Sequence, residues 1–350
     1  MKRTLLPVII VLLVFCGCVN NTSKSAADYL TLWNECEALA ALQEYVEDVT
    51  DPGSGNFIPV SDRVATFDMD GTFLGELCPT YFEYNMFVYR ALEDPEYAYR
   101  APEDVRQAAQ AIRDYVCSGT PLPDHFDLIH ARAAAKAYAG MTLAEFDNYV
   151  VTYARTPADG FTGMTYGASF YRPMLQVFDY LAANGFTCYV VSGSDRAICR
   201  ALVRSVGIEP ERVIGMDVRL CTSNQGDVPG VDYTMETDED VLRTDELLIK
   251  NLKTNKVLQI MQEIGRVPVL SFGNSGGDCA MHNLCLTSPY RSAAFMLIAD
   301  DEERDHANRE KALNLAGQWR QAGYHVISMH DDFRTIYGED VCKTPFTGNR

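Results

Sequence analysis

The sequence predicts an α/β fold: a mostly parallel sheet flanked by helices, with an all-helical insertion early in the chain. Three observations lead there. Short apolar runs (Val64–Phe67, Thr187–Val191, Pro268–Phe272 and Ala293–Ile298) have the length of buried strands. Helical patterns follow these runs, the alternation that builds parallel sheets. The first run is separated from the second by a long stretch that reads mainly as helix. With 350 residues, 47% hydrophobic and 22% charged, the chain is globular in composition and forms one large or two small domains.

Met1-Lys2-Arg3 is a short basic region, and Leu5–Phe15 is an apolar stretch too short to span a bilayer as a helix, the pattern of a secretory signal. It ends in Phe15-Cys16-Gly17-Cys18. Gly before Cys resembles a bacterial lipobox, although Phe15 and Cys16 depart from its usual residues. The resemblance implies a signal peptide over 1–17, lipidation at Cys18, a polar tether over 18–27, and a place in the cell envelope, lipid-anchored or periplasmic. Nine further cysteines are scattered without a CxxC pair, so neither a disulfide framework nor a zinc knuckle is signalled, and most read as small buried hydrophobes. The six histidines have no metal-ligand spacing. A net charge of −18 leaves no basic track for nucleic acid.

Asp28–Val49 reads as an amphipathic helix carried by Leu32, Leu39, Leu42 and Val46, stopped by Asp51-Pro52-Gly53. The strand Val64–Phe67 runs into Asp68-Met69-Asp70-Gly71-Thr72. Residues two apart on a strand share a face, so both carboxylates address one cleft at the strand's carboxyl end, where open α/β sheets bind ligands. Two close carboxylates repel, and either a proton or a cation must compensate. The insertion predicts helices over Tyr81–Leu92, Pro102–Val116, Asp124–Ala139 and Leu143–Ala154. Its many Tyr and Phe read mostly as its own core. Tyr171-Arg172-Pro173 leads a helix to Ala183, which Asn184-Gly185 ends. Thr187–Val191 enters Ser192-Gly193-Ser194 with a helix, Asp195–Val206, starting there. Helix N-termini bind phosphate through free N–H groups, and a serine adds a donor, although a plain N-cap explains it as well. Val213–Leu220 and Asp232–Glu236 read as a strand hairpin, with a solvated acidic turn after it. Lys250, Lys253 and Lys256 precede or open a helix that ends at Gly265. Pro268–Phe272 runs into Gly273-Asn274-Ser275-Gly276-Gly277-Asp278. A charged helix, Glu302–Ala322, and a short strand, His325–Met329, close the chain.

Asp-x-Asp-Gly-Thr after a strand, a serine after the next, then a lysine, then Gly-Asn-x-x-x-Asp after another strand: this order resembles the four motifs of the haloacid dehalogenase superfamily. Tyr171-Arg172-Pro173 and Ile264-Gly265-Arg266 further resemble its phosphoserine-phosphatase-like branch, and the likeness runs from about Trp33 to Tyr337. It implies a three-layer Rossmann-like core (28–79 and 171–350) with a helical cap (80–170). It also implies a magnesium-dependent phosphatase acting on a small phosphorylated metabolite. In that family Asp68 is the nucleophile and a metal ligand, while Asp70 protonates the leaving group, activates water and sits at the metal. Lys256 offsets charge, in preference to Lys253 or Lys250, and Ser192 and Gly193 hold phosphoryl oxygens. Asn274 and Asp278 serve the metal, Asn274 standing where the family has Asp. Glu76 lies where some relatives contact a substrate amine. The rival readings are phosphoserine phosphatase proper and a non-catalytic lipoprotein that captures a phosphorylated ligand.

Overall fold

The computed structural model describes residues 26–347. The expected signal peptide, Cys18 and all but the end of the tether lie outside the described residues. In chain order the elements are α1 (Ala26–Tyr29), α2 (Glu37–Thr50) and β1 (Val64–Phe67). Four helices follow: α3 (Phe82–Leu92), α4 (Glu103–Ser118), α5 (Phe126–Ala137) and α6 (Leu143–Ala154). Then come β2 (Phe161–Thr162), α7 (Arg172–Ala183), β3 (Thr187–Asp195), α8 (Arg196–Val203), β4 (Val213–Thr222), β5 (Val241–Ile249) and α9 (Thr254–Glu263). The chain ends with β6 (Leu270–Gly273), α10 (Cys279–Leu286), β7 (Ala293–Ile298), α11 (Arg309–Gln321), β8 (His325–Ser328), α12 (Met329–Asp332) and β9 (Cys342–Lys343).

Seven strands make one sheet in the order β5-β4-β3-β1-β6-β7-β8. All neighbours run parallel except β5, which returns antiparallel along β4 at one edge. From β1 the chain builds outward through β3 and β4, then jumps back to build the other way through β6, β7 and β8. The order reverses at β1, so the carboxyl ends of β1, β3 and β6 open into a crevice.

The floor under that crevice is aromatic. Phe67 stacks on Phe178 at 4.0 Å and on Phe272 at 4.3 Å, and Phe272 stacks on Phe295 at 5.0 Å. Phe67 is fully buried and is the last residue of β1, so this column sets the height of Asp68 directly after it. Removing one such ring costs about 3–5 kcal/mol.

Helices α3–α6 pack on one another and dock on the sheet's β5 edge and on α8. Arg243 of β5 joins the two parts. Its guanidinium lies over the Phe146 ring of α6 at 3.9 Å and pairs with Asp195 at 2.5 Å.

Several sequence expectations shift. The single helix over Asp28–Val49 is two, because Trp33 bridges to Phe333 and Cys36 caps a fresh start by accepting from Leu39 N–H. The second strand of the hairpin is Val241–Ile249, not Asp232–Glu236. The latter is loop, and the ladder with β4 runs from Val241 opposite Thr222 to Ile249 opposite Asp217. The helix expected from Asp195 begins at Arg196, since Asp195 is its N-cap and accepts from Ala197 N–H. The charged helix begins at Arg309 rather than Glu302. Asp301 first accepts from Glu303 and Arg304 N–H in a turn, and Asn308 then caps the helix. All nine described cysteines are free. Four are buried, three half-buried and two exposed, so the buried set is smaller than expected.

Candidate active site

β1 delivers Asp68 to the crevice, where its N–H donates to Phe272 O (2.9 Å) and locks it to β6. The chain then turns sharply. The N–H groups of Thr72, Phe73 and Leu74 all donate to Met69 O, which holds Asp70 two residues on from Asp68. Gly71 permits this, with φ at 75° and no room for a side chain: a Cβ there would lie 1.9 Å from Asn274 Nδ2.

Lys256, in the first turns of α9, is buried and reaches across to two carboxylates. Its Nζ donates to Asp68 Oδ1 at 2.5 Å and to Asp278 Oδ1 at 2.7 Å. Asp278 Oδ2 is engaged as well, accepting from the N–H groups of Asn274 (3.1 Å) and Ser275 (3.0 Å) and from Ser275 Oγ (3.2 Å). Asp278 can tuck in because Gly273 has no side chain: a Cβ there would meet Asp278 Cβ at 2.6 Å. With both oxygens committed, Asp278 stands behind the lysine and the Asn274 loop and is not a free donor for a metal. Of the other lysines, Lys253 is exposed, while Lys250 is buried in the cleft wall with its Nζ 3.9 Å from Glu83.

Asp70 Oδ2 accepts from Ser194 Oγ at 2.7 Å and from Ser192 Oγ at 3.4 Å. Ser192 is fully buried and its Oγ also accepts from Ser194 N–H, so Gly193 and Ser194, not Ser192, line the cleft. Asn251 Nδ2 donates to Ser192 O and fixes the turn. Glu76 enters from the loop after β1 and accepts from Asn274 Nδ2 at 3.1 Å.

One ammonium facing several buried carboxylates sets the electrostatics. Burial and the neighbouring Asp278 push the Asp68 carboxyl up to about 7, against the pull of Lys256. Burial raises Asp70 too, outweighing its serine hydrogen bonds. Burial, then Asp70 and Asp68, lift Glu76 to about 8. Burial would raise Asp278 as well, but Lys256 outweighs it and holds Asp278 low, and the two carboxylates keep Lys256 charged despite its own burial. The site therefore gathers more carboxyl groups than its lysines balance, and burial holds several of them toward the protonated form.

Asp70 Oδ1 is buried without a protein partner. No group of three or more His, Cys, Asp or Glu among the described residues is arranged to hold a metal ion by itself. Magnesium does not require one. It keeps several waters and takes one or two carboxylates plus substrate oxygens. Asp68, Asp70 and the Asn274 amide together offer hard oxygens in the number that fits such an ion, with the unpartnered Oδ1 of Asp70 left free to carry a proton.

The cavity above these groups is about 90 Å³, and the helical insertion contributes Tyr81, Glu83, Tyr84 and Asp127 to it. Ser194, Glu83, Tyr84 and Asp127 were not singled out from sequence as site residues. A lone glutamate between Phe82 and Tyr84 on an apolar helix was the available signal for Glu83.

No family model matches the chain, and neither does any curated protein. Among solved structures it is similar to a conserved functionally unknown protein from Anaerococcus prevotii DSM 20548, with a TM-score of 0.52 at 15% identity over 86% of this chain and 94% of that one. It is also similar to cytosolic 5'-nucleotidase IIIB bound to cytidine, with a TM-score of 0.50 at 12% identity over 86% of this chain and 88% of that one. At such identities the likeness shows the fold alone, a mostly parallel Rossmann-like α/β fold.

Proposed function

We propose that this chain is a magnesium-dependent phosphomonoester hydrolase of the haloacid dehalogenase type, acting on a small phosphorylated metabolite through an aspartyl-phosphate. One observation carries the reading. Distant segments bring Asp68 and Asp70 to a single crevice, with Lys256 Nζ 2.5 Å from the first and Ser194 Oγ 2.7 Å from the second.

Asp68 attacks phosphorus in line, forming its O–P bond as the P–O bond to the alcohol breaks. Asp70, held toward its protonated form by burial, gives that proton to the departing oxygen. Its carboxylate then takes a proton from water, which attacks the acyl phosphate, releases phosphate and restores Asp68. Lys256 and the Gly193–Ser194 turn face the phosphoryl oxygens. When bound between Asp68, Asp70 and Asn274, magnesium supplies positive charge against those oxygens. Residues 80–170 act as a cap that excludes water and selects the alcohol. Anchoring at Cys18 in the cell envelope belongs to the same proposal; radiolabelled palmitate incorporated by the wild type but not by Cys18→Ala would support it, and equal labelling of both would end it.

Asp68→Asn should abolish phosphate release from p-nitrophenyl phosphate, a loss of about 1,000-fold or more, with the melting temperature retained. Excess chelator should silence the wild type, and added magnesium should restore it. Near-normal turnover by Asp68→Asn would remove the nucleophile, and full activity in chelator would remove the metal.

A further inference from the structure

A second cavity, about 630 Å³, is walled mostly by the helical insertion, with Pro79 and Phe346 completing it, and shares no lining residue with the catalytic cleft. That is the size of a small-molecule site. Its walls are Val88, Ile112 and Val116 with the rings of Tyr89, Tyr149 and Tyr153. Four carboxylates and a single cation face it: Glu93, Asp94, Glu96 and Asp159 against Arg113. Arg113 pairs with Glu93 at 2.6 Å, and Asp94 is balanced from outside the cavity by Arg90 at 2.7 Å. Asp159 accepts only neutral donors, from Gly160, Thr347 N–H and Thr347 Oγ1, and Glu96 is exposed on the rim. Two negative charges are thus left over an aromatic-walled chamber. Carboxylates at the mouth attract cations and repel anions, and the apolar and ring surfaces behind them suit an apolar body.

We propose that this chamber is a second ligand site, for an organic cation with an apolar body, and that its occupancy reaches the catalytic cleft through α3. The helix touches both cavities. Glu83 and Tyr84 of its first turn line the catalytic cleft, and Asn85, Val88 and Tyr89 line the chamber. A ligand pressing on Val88 and Tyr89 moves the element that carries Glu83.

The binding half is independent of the phosphatase reading and is tested without turnover. Benzyltrimethylammonium, titrated calorimetrically into the full chain, should bind saturably at one site, whereas toluenesulfonate, of similar shape and opposite charge, should not. Val116→Trp drives an indole into the chamber from a half-exposed position on α4 and should abolish binding. Glu96→Gln, on the exposed rim, should weaken it about threefold to tenfold and keeps the test decisive if the bulkier variant unfolds. Equal binding of the two probes, or undiminished cation binding in both variants, overturns the site. Saturating cation should shift the KM for an aryl phosphate in the wild type but not in Val116→Trp. Binding that leaves KM and kcat untouched overturns the coupling through α3.

Discussion

The floor and the roof of the catalytic cleft are built to different standards. On the floor, Asp278 has both oxygens committed, Lys256 is clasped between two carboxylates, and Asp70 is held through Oδ2 by Ser194, with only its Oδ1 unmet. On the roof, Glu83 has a buried oxygen with no partner, its Lys250 neighbour stands off at 3.9 Å, and Asp127 is met by Tyr84 OH at only 3.4 Å. A floor that holds its charges rigidly suits steps common to any phosphate ester. A roof with unmet polar groups suits a part whose partners arrive with the substrate. On the proposed function, the contrast assigns chemistry to the sheet and substrate choice to the insertion, and it can be broken at either end.

The largest effect belongs to Lys256. Lys256→Met leaves Asp68 and Asp278 buried side by side without their shared cation. Turnover of p-nitrophenyl phosphate should fall about 1,000-fold, and urea unfolding should show a loss of about 3 kcal/mol. If both stayed near wild type, the floor would not be the braced half. Asp278→Asn comes next. It keeps the shape but removes one carboxylate from the lysine and weakens the support of the Asn274 loop. The expected cost is about 10- to 100-fold in kcat, with a matching rise in the magnesium concentration needed for half activity. A change in kcat with no change in magnesium demand would separate Asp278 from the metal.

The floor was also the more legible half. Strand length, the period of two between Asp68 and Asp70, and the Gly-rich turn at Gly273 are local properties, and they place residues at strand ends whatever the rest of the chain does. The choice of Lys256 over its neighbours rests on a Lys-x-x-x-Ile spacing and a place at the helix start that resemble the family, and the structure puts that side chain on Asp68 and leaves Lys253 exposed. What failed was whatever depends on packing between distant parts. Ser192 and Ser194 are two apart on an extended segment, so nothing local says which of them the sheet buries, and the reading favoured the one that is sealed in. Glu83 and Asp127 reach the cleft only because the insertion docks on β5 and α8, a tertiary contact made through Arg243 that no periodicity records. The hairpin was expected, but its second strand was misplaced, because an exposed edge strand carries little apolar signal.

The remaining test leaves turnover aside and reads the roof through its pH dependence. Burial raises Glu83 from an ordinary 4.5 to about 7, with Lys250 opposing. Between those values the folded chain holds a proton that the unfolded chain has released. Stability conferred by the protonated carboxyl is therefore complete below about pH 4.5 and is lost as pH rises through about 7. Glu83→Gln keeps the shape and removes the titration. Relative to wild type, the variant should gain stability steadily across that window, by up to about 3 kcal/mol on the full shift, and the gain should level off above it. Urea unfolding of both proteins at several pH values between 4 and 8 reads the difference directly. A flat difference would mean that Glu83 is already satisfied as a carboxylate, with Lys250 as a close partner. The roof would then be as firmly built as the floor, and the place assigned to substrate choice would have to move elsewhere in the cleft.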